Sequence, residues 1–204
     1  MEQRRPAYAL WIVLGILVVI VLWGFATYNS LVSLDQTVQA QWGQVQTVYQ
    51  RRADLIPNLV ATVRGAANFE KSTYVAVAQA RAQVGQISPQ VVQNALRNPQ
   101  AFAQYQRAQD TLGTALTHLL AVSENYPQLQ ASQNFLTLQA QLEGTENRIA
   151  VERRRYNEDA QAFNTRRNTA PTVFIVGLFG SQFAPKPYFA ANPAAQSAPQ
   201  VNFP

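Results

Sequence analysis

Twenty consecutive residues, Ala7 to Ala26, carry no charge and are mostly large and apolar. A helix needs about 20 such residues to cross a hydrocarbon core of about 30 Å, whereas a buried core helix shows about 10–14. Residues 7–26 therefore read as a transmembrane helix that follows a short cytoplasmic end, residues 1–6. Tyr8 and Trp11 lie near one end of the run, and Trp23, Phe25 and Tyr28 near the other. Amphipathic rings favour the headgroup level, so these five residues form two interfacial belts around the anchor. Arg4 and Arg5 precede the run, and the next basic residue is Arg51. That asymmetry places the N-terminus in the cytoplasm and the rest of this single-pass chain outside it.

A cleaved export signal is the competing reading, because basic residues before an apolar segment also describe one. Gly24-Phe25-Ala26 resembles a weak small-x-small cleavage site. The apolar run exceeds the usual signal core of about 7–15 residues, and helical patterning resumes soon after it, which favours a retained anchor. The chain has no cysteine, which excludes disulfides and thiol-linked lipid.

Beyond Ala26 there are 14 basic and 10 acidic residues, and arginine supplies 14 of the 16 basic residues in the whole chain. A nucleic-acid surface would concentrate positive charge on one face. Here Arg148 and Glu152, Arg154 and Glu158, and Arg155 and Asp159 stand four apart, the pattern of a solvated, charge-laced helix. Anionic headgroups are a second use for some of these arginines. No nucleic-acid partner is expected. Alanine and glutamine, both good helix formers, dominate the middle of the chain.

Leu31, Leu34, Val38, Trp42, Val45 and Tyr49 recur at spacings of three and four, one face of a helix. No proline separates them from the apolar run, so anchor and first helix read as one rod from Tyr8 to Arg52, roughly 68 Å long. Asp54 and Pro57 predict a break, with Asp54 as N-cap of a second helix that reaches about Val84. Ser88-Pro89 and Asn98-Pro99 both have cap-then-proline form. They predict a short helix over 89–96 and a long one from Pro99 to about Glu124. After Asn125-Tyr126-Pro127, a fourth helix opens near Ser132 with Phe135, Leu138, Leu142, Thr145, Ile149, Glu152, Tyr156 and Phe163 on a seam close to coiled-coil spacing. Glu152 on that seam either pairs with a cation, for which Arg51 or Arg52 is the candidate, or lies exposed because the seam drifts.

The expected fold is all-α: an N-terminal transmembrane helix continues into an elongated antiparallel four-helix bundle over residues 27–171. An apolar, turn-rich flap follows over 172–189. It packs on the bundle or offers Phe174, Ile175, Phe179, Phe183, Tyr188 and Phe189 to a partner; packing on the bundle is the preferred reading. Residues 190–204, rich in alanine, proline, glutamine and asparagine, have too little apolar content to fold alone and are expected to be disordered.

Catalytic vocabulary is missing. His118 is the only histidine, and with no cysteine the usual zinc and cysteine-nucleophile sets cannot be assembled. The nine glycines are scattered, with no phosphate-binding loop. Glu143/Glu146 and Glu158/Asp159 are carboxylate pairs of the kind that solvated helices carry. No cofactor and no enzymatic activity are expected.

Arg51-Arg52-Ala53-Asp54-Leu55-Ile56-Pro57-Asn58-Leu59-Val60 resembles the most recognisable motif of the LemA family. Tyr28-Asn29-Ser30-Leu31-Val32, Glu124-Asn125-Tyr126-Pro127, Glu143-Gly144-Thr145-Glu146-Asn147-Arg148-Ile149-Ala150, Arg155-Tyr156-Asn157, Phe163-Asn164-Thr165 and Lys186-Pro187-Tyr188-Phe189 agree with it in order. The resemblance implies a bacterial inner-membrane protein with one N-terminal anchor and a long-helix bundle. It implies no biochemical activity. It points to company with membrane proteins carrying a TPM-type domain, with membrane-bound metalloproteases, or with magnetosome membranes. In that frame Arg52 and Asp54 would set the angle between helices one and two. Asn157 and Asn164, seven apart on one side of helix four, would satisfy polar groups of the flap. The leading function is a non-enzymatic, membrane-tethered scaffold that binds other envelope proteins or itself. The alternative is a sensor subunit in which an extracytoplasmic ligand alters bundle packing.

Overall fold

The computed structural model describes residues 7–66, 68–178 and 180–190, and every regular element among them is helical. Helix α1 (Ala7–Arg64) is a single element of 58 residues, about 87 Å long. The break expected at Asp54 and Pro57 does not occur. An interior proline lacks the N–H that would bond the carbonyl four residues back, here that of Ala53. Arg81, from the next helix, donates its Nε–H to that carbonyl at 3.0 Å. The missing donor is thus supplied from outside the helix, and α1 continues. Asp54 is exposed and caps nothing; its carboxylate accepts from Gln50 Nε2 at 2.7 Å. The real junction lies at 65–70. There Asn68 takes φ 63°, a left-handed conformation that asparagine tolerates, and its carbonyl accepts from the Tyr126 hydroxyl at 3.0 Å.

The remaining elements are α2 (Lys71–Gly85), α3 (Pro89–Asn94), α4 (Pro99–Ser123), α5 (Pro127–Gln130), α6 (Gln133–Asn168), α7 (Thr172–Leu178) and a 3-10 turn (Gly180–Phe183). Their starts follow local chemistry. Ser88 Oγ accepts from the Val91 amide, Asn98 Oδ1 from the Gln100 and Ala101 amides, and Ser132 Oγ from the Phe135 amide. Pro89 and Pro99 sit in the first turn, where a missing N–H costs no helical bond.

The closest helix packing pairs α1 with α6, α2 with α4 and α1 with α2, while the backbones of α4 and α6 stay farther apart. Contacts set the directions. Gln41 meets Glu152 and Arg52 meets Glu146, so α6 runs against α1. Arg64 covers the Tyr74 ring and Arg81 reaches Ala53, so α2 also runs against α1. Trp42 packs on Phe102 and Arg52 reaches Gln109, so α4 runs with α1.

Buried side chains recur every seven residues, the coiled-coil interval. On α1 these are Leu31, Val38, Val45, Arg52 and Leu59, beside Trp42, Tyr49, Ile56 and Val63. On α4 they are Phe102, Gln109 and Leu116, beside Tyr105, Leu112 and Leu119; on α6, Phe135, Leu142, Ile149, Tyr156 and Phe163. Each large apolar side chain so buried contributes about 1.5–3 kcal/mol before the entropy of ordering is counted. The core falls into two clusters, one from Leu31 to Tyr49 of α1 and one from Ile56 to Val63. Arg52 and Gln109 occupy the layer between them.

The segment after Pro171 is not extended throughout, as expected from its turn-rich sequence, but opens with α7 and the 3-10 turn. Only 184–190 is extended, as a strap that returns along α6 toward α4. The stretch expected to be disordered lies, beyond residue 190, outside the described residues, as do residues 1–6.

Candidate functional site

Three of the segments that carry the family resemblance, Arg155-Tyr156-Asn157, Phe163-Asn164-Thr165 and Lys186-Pro187-Tyr188-Phe189, meet where the strap crosses α6. Asn157 and Asn164, two turns apart, each act as a surrogate β-strand. Asn164 donates Nδ2–H to the Lys186 carbonyl at 2.8 Å and accepts from the Lys186 amide at 2.8 Å. Asn157 does the same with Phe189, at 3.0 and 2.9 Å. Between them the Tyr156 hydroxyl donates to the Pro187 carbonyl at 3.0 Å, and Asn164 reaches the Tyr188 hydroxyl at 2.9 Å. Both backbone groups of Lys186 and of Phe189, and the Pro187 carbonyl, are thereby satisfied by side chains, as a non-helical segment packed on a helix requires.

Two strap side chains enter the core. Phe189 lies among Trp42, Phe102 and Tyr156, with centroid separations of 4.7–6.0 Å, and the Arg153 guanidinium covers its ring at 4.7 Å. It fills the space that the separation of α4 and α6 leaves. Lys186, only 2% exposed, forms an ion pair with Asp35 of α1, and its ammonium stands 4.9 Å above the Phe163 ring. Gln39 donates to the other Asp35 oxygen at 2.6 Å. A buried ion needs such compensation. The strap is therefore clamped to both α1 and α6. The terminal carbonyl, Ala190, accepts from Arg153 and Gln106.

Phe183 and Phe189 are buried and so are corrected as partner-surface residues: they belong to the bundle's own core. Phe174 is exposed and Tyr188 half-exposed. Phe179 lies outside the described residues, and nothing is described of the Ile175 side chain. Glu152 pairs with neither Arg51 nor Arg52. Its carboxylate accepts from Gln41 at 2.6 Å and from Arg155 at 3.1 Å, because Arg52 sits farther along α1 and is engaged elsewhere.

Arg52 Nη1 binds Glu146 at 3.0 Å, while Nη2 donates to the Gln109 carbonyl at 2.8 Å and its side-chain oxygen at 2.7 Å. The guanidinium also stands 5.2 Å over the Tyr49 ring. This layer ties α1, α4 and α6 at one level, the kind of polar core position that sets register between helices. Asp54, Pro57 and Asn58 are exposed, as is Arg51. Sequence reasoning missed Arg81, Asp35, Lys186 and Gln109. Gln109 alone left a signal, a polar residue on an otherwise apolar heptad.

A groove of ≈ 890 Å³ opens between α4 and α6 over this layer, lined by Tyr49, Arg52, Asp110, His118, Glu146 and Arg153 among others. Four of its charges are paired internally, Arg52 with Glu146 and Arg153 with Asp110 at 3.1 Å, while Glu143 accepts from Gln139. Burial pushes the Tyr49 phenol up to about 12 and raises Tyr105 and Tyr156 as well, so all three remain neutral near neutrality. Asp159, partly buried on α6, is raised by burial and by neighbouring Glu158, but it does not line this groove. His118 is exposed. Among the described residues no cluster of histidine and carboxylate ligands could hold a metal.

Along the N-terminal part of α1, Tyr8, Trp11 and Phe25 are exposed, with Trp23 and Tyr28 more covered. Among the described residues α1 is the one helix long and apolar enough to cross a membrane. Fold and site together define a membrane-associated all-α protein whose long first helix carries both a candidate membrane span and one wall of the bundle. Residues 41–203 match the LemA family model, and the chain belongs to the LemA family. It is similar to two magnetosome proteins of Paramagnetospirillum magneticum, MamQ 1 and MamQ 2, at 25% identity over 95% of this chain and 76% of each relative. It is also similar to the magnetosome protein MamQ of Magnetospirillum gryphiswaldense, at 25% identity over 85% of this chain and 70% of that protein.

Proposed function

We propose that this protein is a non-enzymatic scaffold, anchored in the bacterial cytoplasmic membrane by residues 7–26, whose bundle binds other envelope membrane proteins or a second copy of itself. The observation that carries this reading is the continuity of α1. One helix contains both the apolar run and the core positions from Leu31 to Val63, so the bundle has no joint at which to swing away from its anchor. The strap adds rigidity at the membrane end. The groove's paired charges and exposed, lone His118 offer no nucleophile–base grouping, which supports a binding role over turnover. Arg4 and Arg5 favour a cytoplasmic N-terminus and an extracytoplasmic bundle. Likeness to magnetosome proteins favours a life among membrane proteins, with TPM-domain proteins and membrane proteases as further candidate partners.

Crosslinking in intact cells, followed by mild-detergent purification through a C-terminal tag and mass spectrometry, tests this. A stoichiometric membrane protein, or a second copy, crosslinked to the bundle is the expected result. A chain recovered alone, and stabilised against heat by a small extracytoplasmic molecule, would replace the scaffold with a ligand sensor.

A further inference from the structure

Helix α7 (Thr172–Leu178) reads T-V-F-I-V-G-L and carries no charge. Its faces differ. Thr172 and Val176, one turn apart, are buried, while Val173 at 42% and Phe174 at 74% exposure face outward with Gly177. An exposed phenylalanine of this degree, on an uncharged helix packed against α1 and α6, calls for an apolar surrounding.

The position of α7 along α1 says which. The helix touches both α1 and α6. Thr27, immediately past the apolar run, is buried, and Gly24, inside that run, is partly covered. Just after α7, Gln182 Nε2 donates to the Tyr28 hydroxyl at 3.2 Å, and the Phe183 ring meets the Tyr28 ring edge-on at 5.7 Å. Thr27 and Tyr28 follow Ala26 by only about 3 Å along the helix axis, well inside a headgroup layer about 5–8 Å deep. The last turn of α6 brings Arg166 and Arg167 to the same end. Arg167 is held by the Phe183 carbonyl at 2.6 Å and by Asn168.

We propose that α7 is an interfacial foot: Val173 and Phe174 rest at the headgroup–acyl boundary of the bilayer that α1 crosses, and Arg166 faces anionic headgroups. The foot rests on the proposed membrane anchorage. A helix lying in the interface with one apolar face inward binds by that face and by attraction to anionic lipid. With α1 it gives the bundle two points of contact, which fixes its tilt and rotation on the membrane.

The absence of cysteine allows a direct test on the full chain. Single variants Phe174→Cys, Val18→Cys and Leu136→Cys are spin-labelled and reconstituted in nanodiscs of phosphatidylcholine and phosphatidylglycerol. Collision with oxygen, which concentrates in lipid, is compared with collision with an aqueous nickel chelate. Position 18 lies within the apolar run, and Leu136, at 40% exposure near the start of α6, is remote from it. The foot requires the oxygen-to-chelate ratio at 174 to lie between that at 18, deep in the lipid, and that at 136, where the chelate dominates. An aqueous 174 beside a lipidic 18 overturns the foot and leaves the anchor intact. An aqueous 18 overturns the anchor and the foot with it. A label at 174 shielded from both reagents means that protein covers α7, which also overturns the proposal.

Discussion

Arg81 donates its Nε–H to the Ala53 carbonyl at 3.0 Å, the same carbonyl that Pro57 leaves without a helical donor. A side chain from α2 thus repairs the ladder of α1 across the helix pair. The pairing makes a sharp expectation. Arg81→Ala removes an exposed hydrogen bond and should cost about 0.5–1.5 kcal/mol. In a Pro57→Ala background residue 57 regains its own N–H, and the same Arg81→Ala change should cost close to nothing. Chemical denaturation of the four variants of this cycle measures the coupling. Equal costs in both backgrounds would mean that Arg81 acts only through packing.

The Lys186–Asp35 pair should behave as a buried ion pair and not as a surface one. Lys186→Met leaves a carboxylate in the interior with Gln39 as its remaining partner, at a cost of about 3–5 kcal/mol. Changing Asp35→Leu as well should recover much of that loss. Thermal unfolding of the single and double variants in detergent decides it: a double variant less stable than Lys186→Met contradicts the pairing.

Three helical glycines separate backbone propensity from crowding. A Cβ at Gly43 or Gly144 would meet nothing within 4 Å, so each alanine substitution should stabilise by up to ~1 kcal/mol. At Gly113 the Cβ would stand 3.3 Å from Arg52 Nη1, and Glu146 holds that nitrogen in place. Gly113→Ala should gain nothing or lose stability. Denaturant midpoints compare the three, and a gain at Gly113 equal to the others would show that the Arg52 layer is loose.

Alkaline pH should unfold the membrane-proximal core. The Tyr49 phenol is pushed up to about 12 by burial, and Tyr105 and Tyr156 are raised too. Unfolded tyrosines titrate near 10. Between those values the unfolded chain releases protons that the folded chain keeps, so stability present below about pH 10 is lost as pH rises toward about 12. Melting temperature should fall across that window, and Tyr49→Phe should flatten the fall. A fall that Tyr49→Phe leaves unchanged would contradict the buried placement of Tyr49.

Much of this architecture was legible in the chain because it rests on local chemistry. The caps at Ser88, Asn98 and Ser132 placed the starts of α3, α4 and α6, and the seven-residue seam placed most of the α6 core. What escaped depends on tertiary partners. Asp54 and Pro57 read as the cap and first turn of a new helix, whereas Pro57 lies inside α1 and Arg81, from another helix, bonds the carbonyl that it leaves open. The turn at Asn68 carries little local signal beside the Asp54–Pro57 motif. Glu152 pairs with Arg155 and Gln41, neither with Arg51 or Arg52 nor exposed, the two readings its seam position offers, because register between helices cannot be read from either helix alone. The flap's aromatic residues look alike in sequence, yet Phe183 and Phe189 are buried and Phe174 is not, a split set by where α7 meets α1.

The account depends most on one helix being both anchor and bundle wall. Pulsed electron–electron distance measurement between spin labels at Val19→Cys and Gln44→Cys, in the otherwise cysteine-free full chain in nanodiscs, tests that continuity across Gly24 and Tyr28. A continuous helix requires a single narrow distribution centred at about 38 Å. A broad distribution, or one displaced to shorter distances, would place a joint between membrane and bundle and contradict the rigid tether on which the scaffold reading stands.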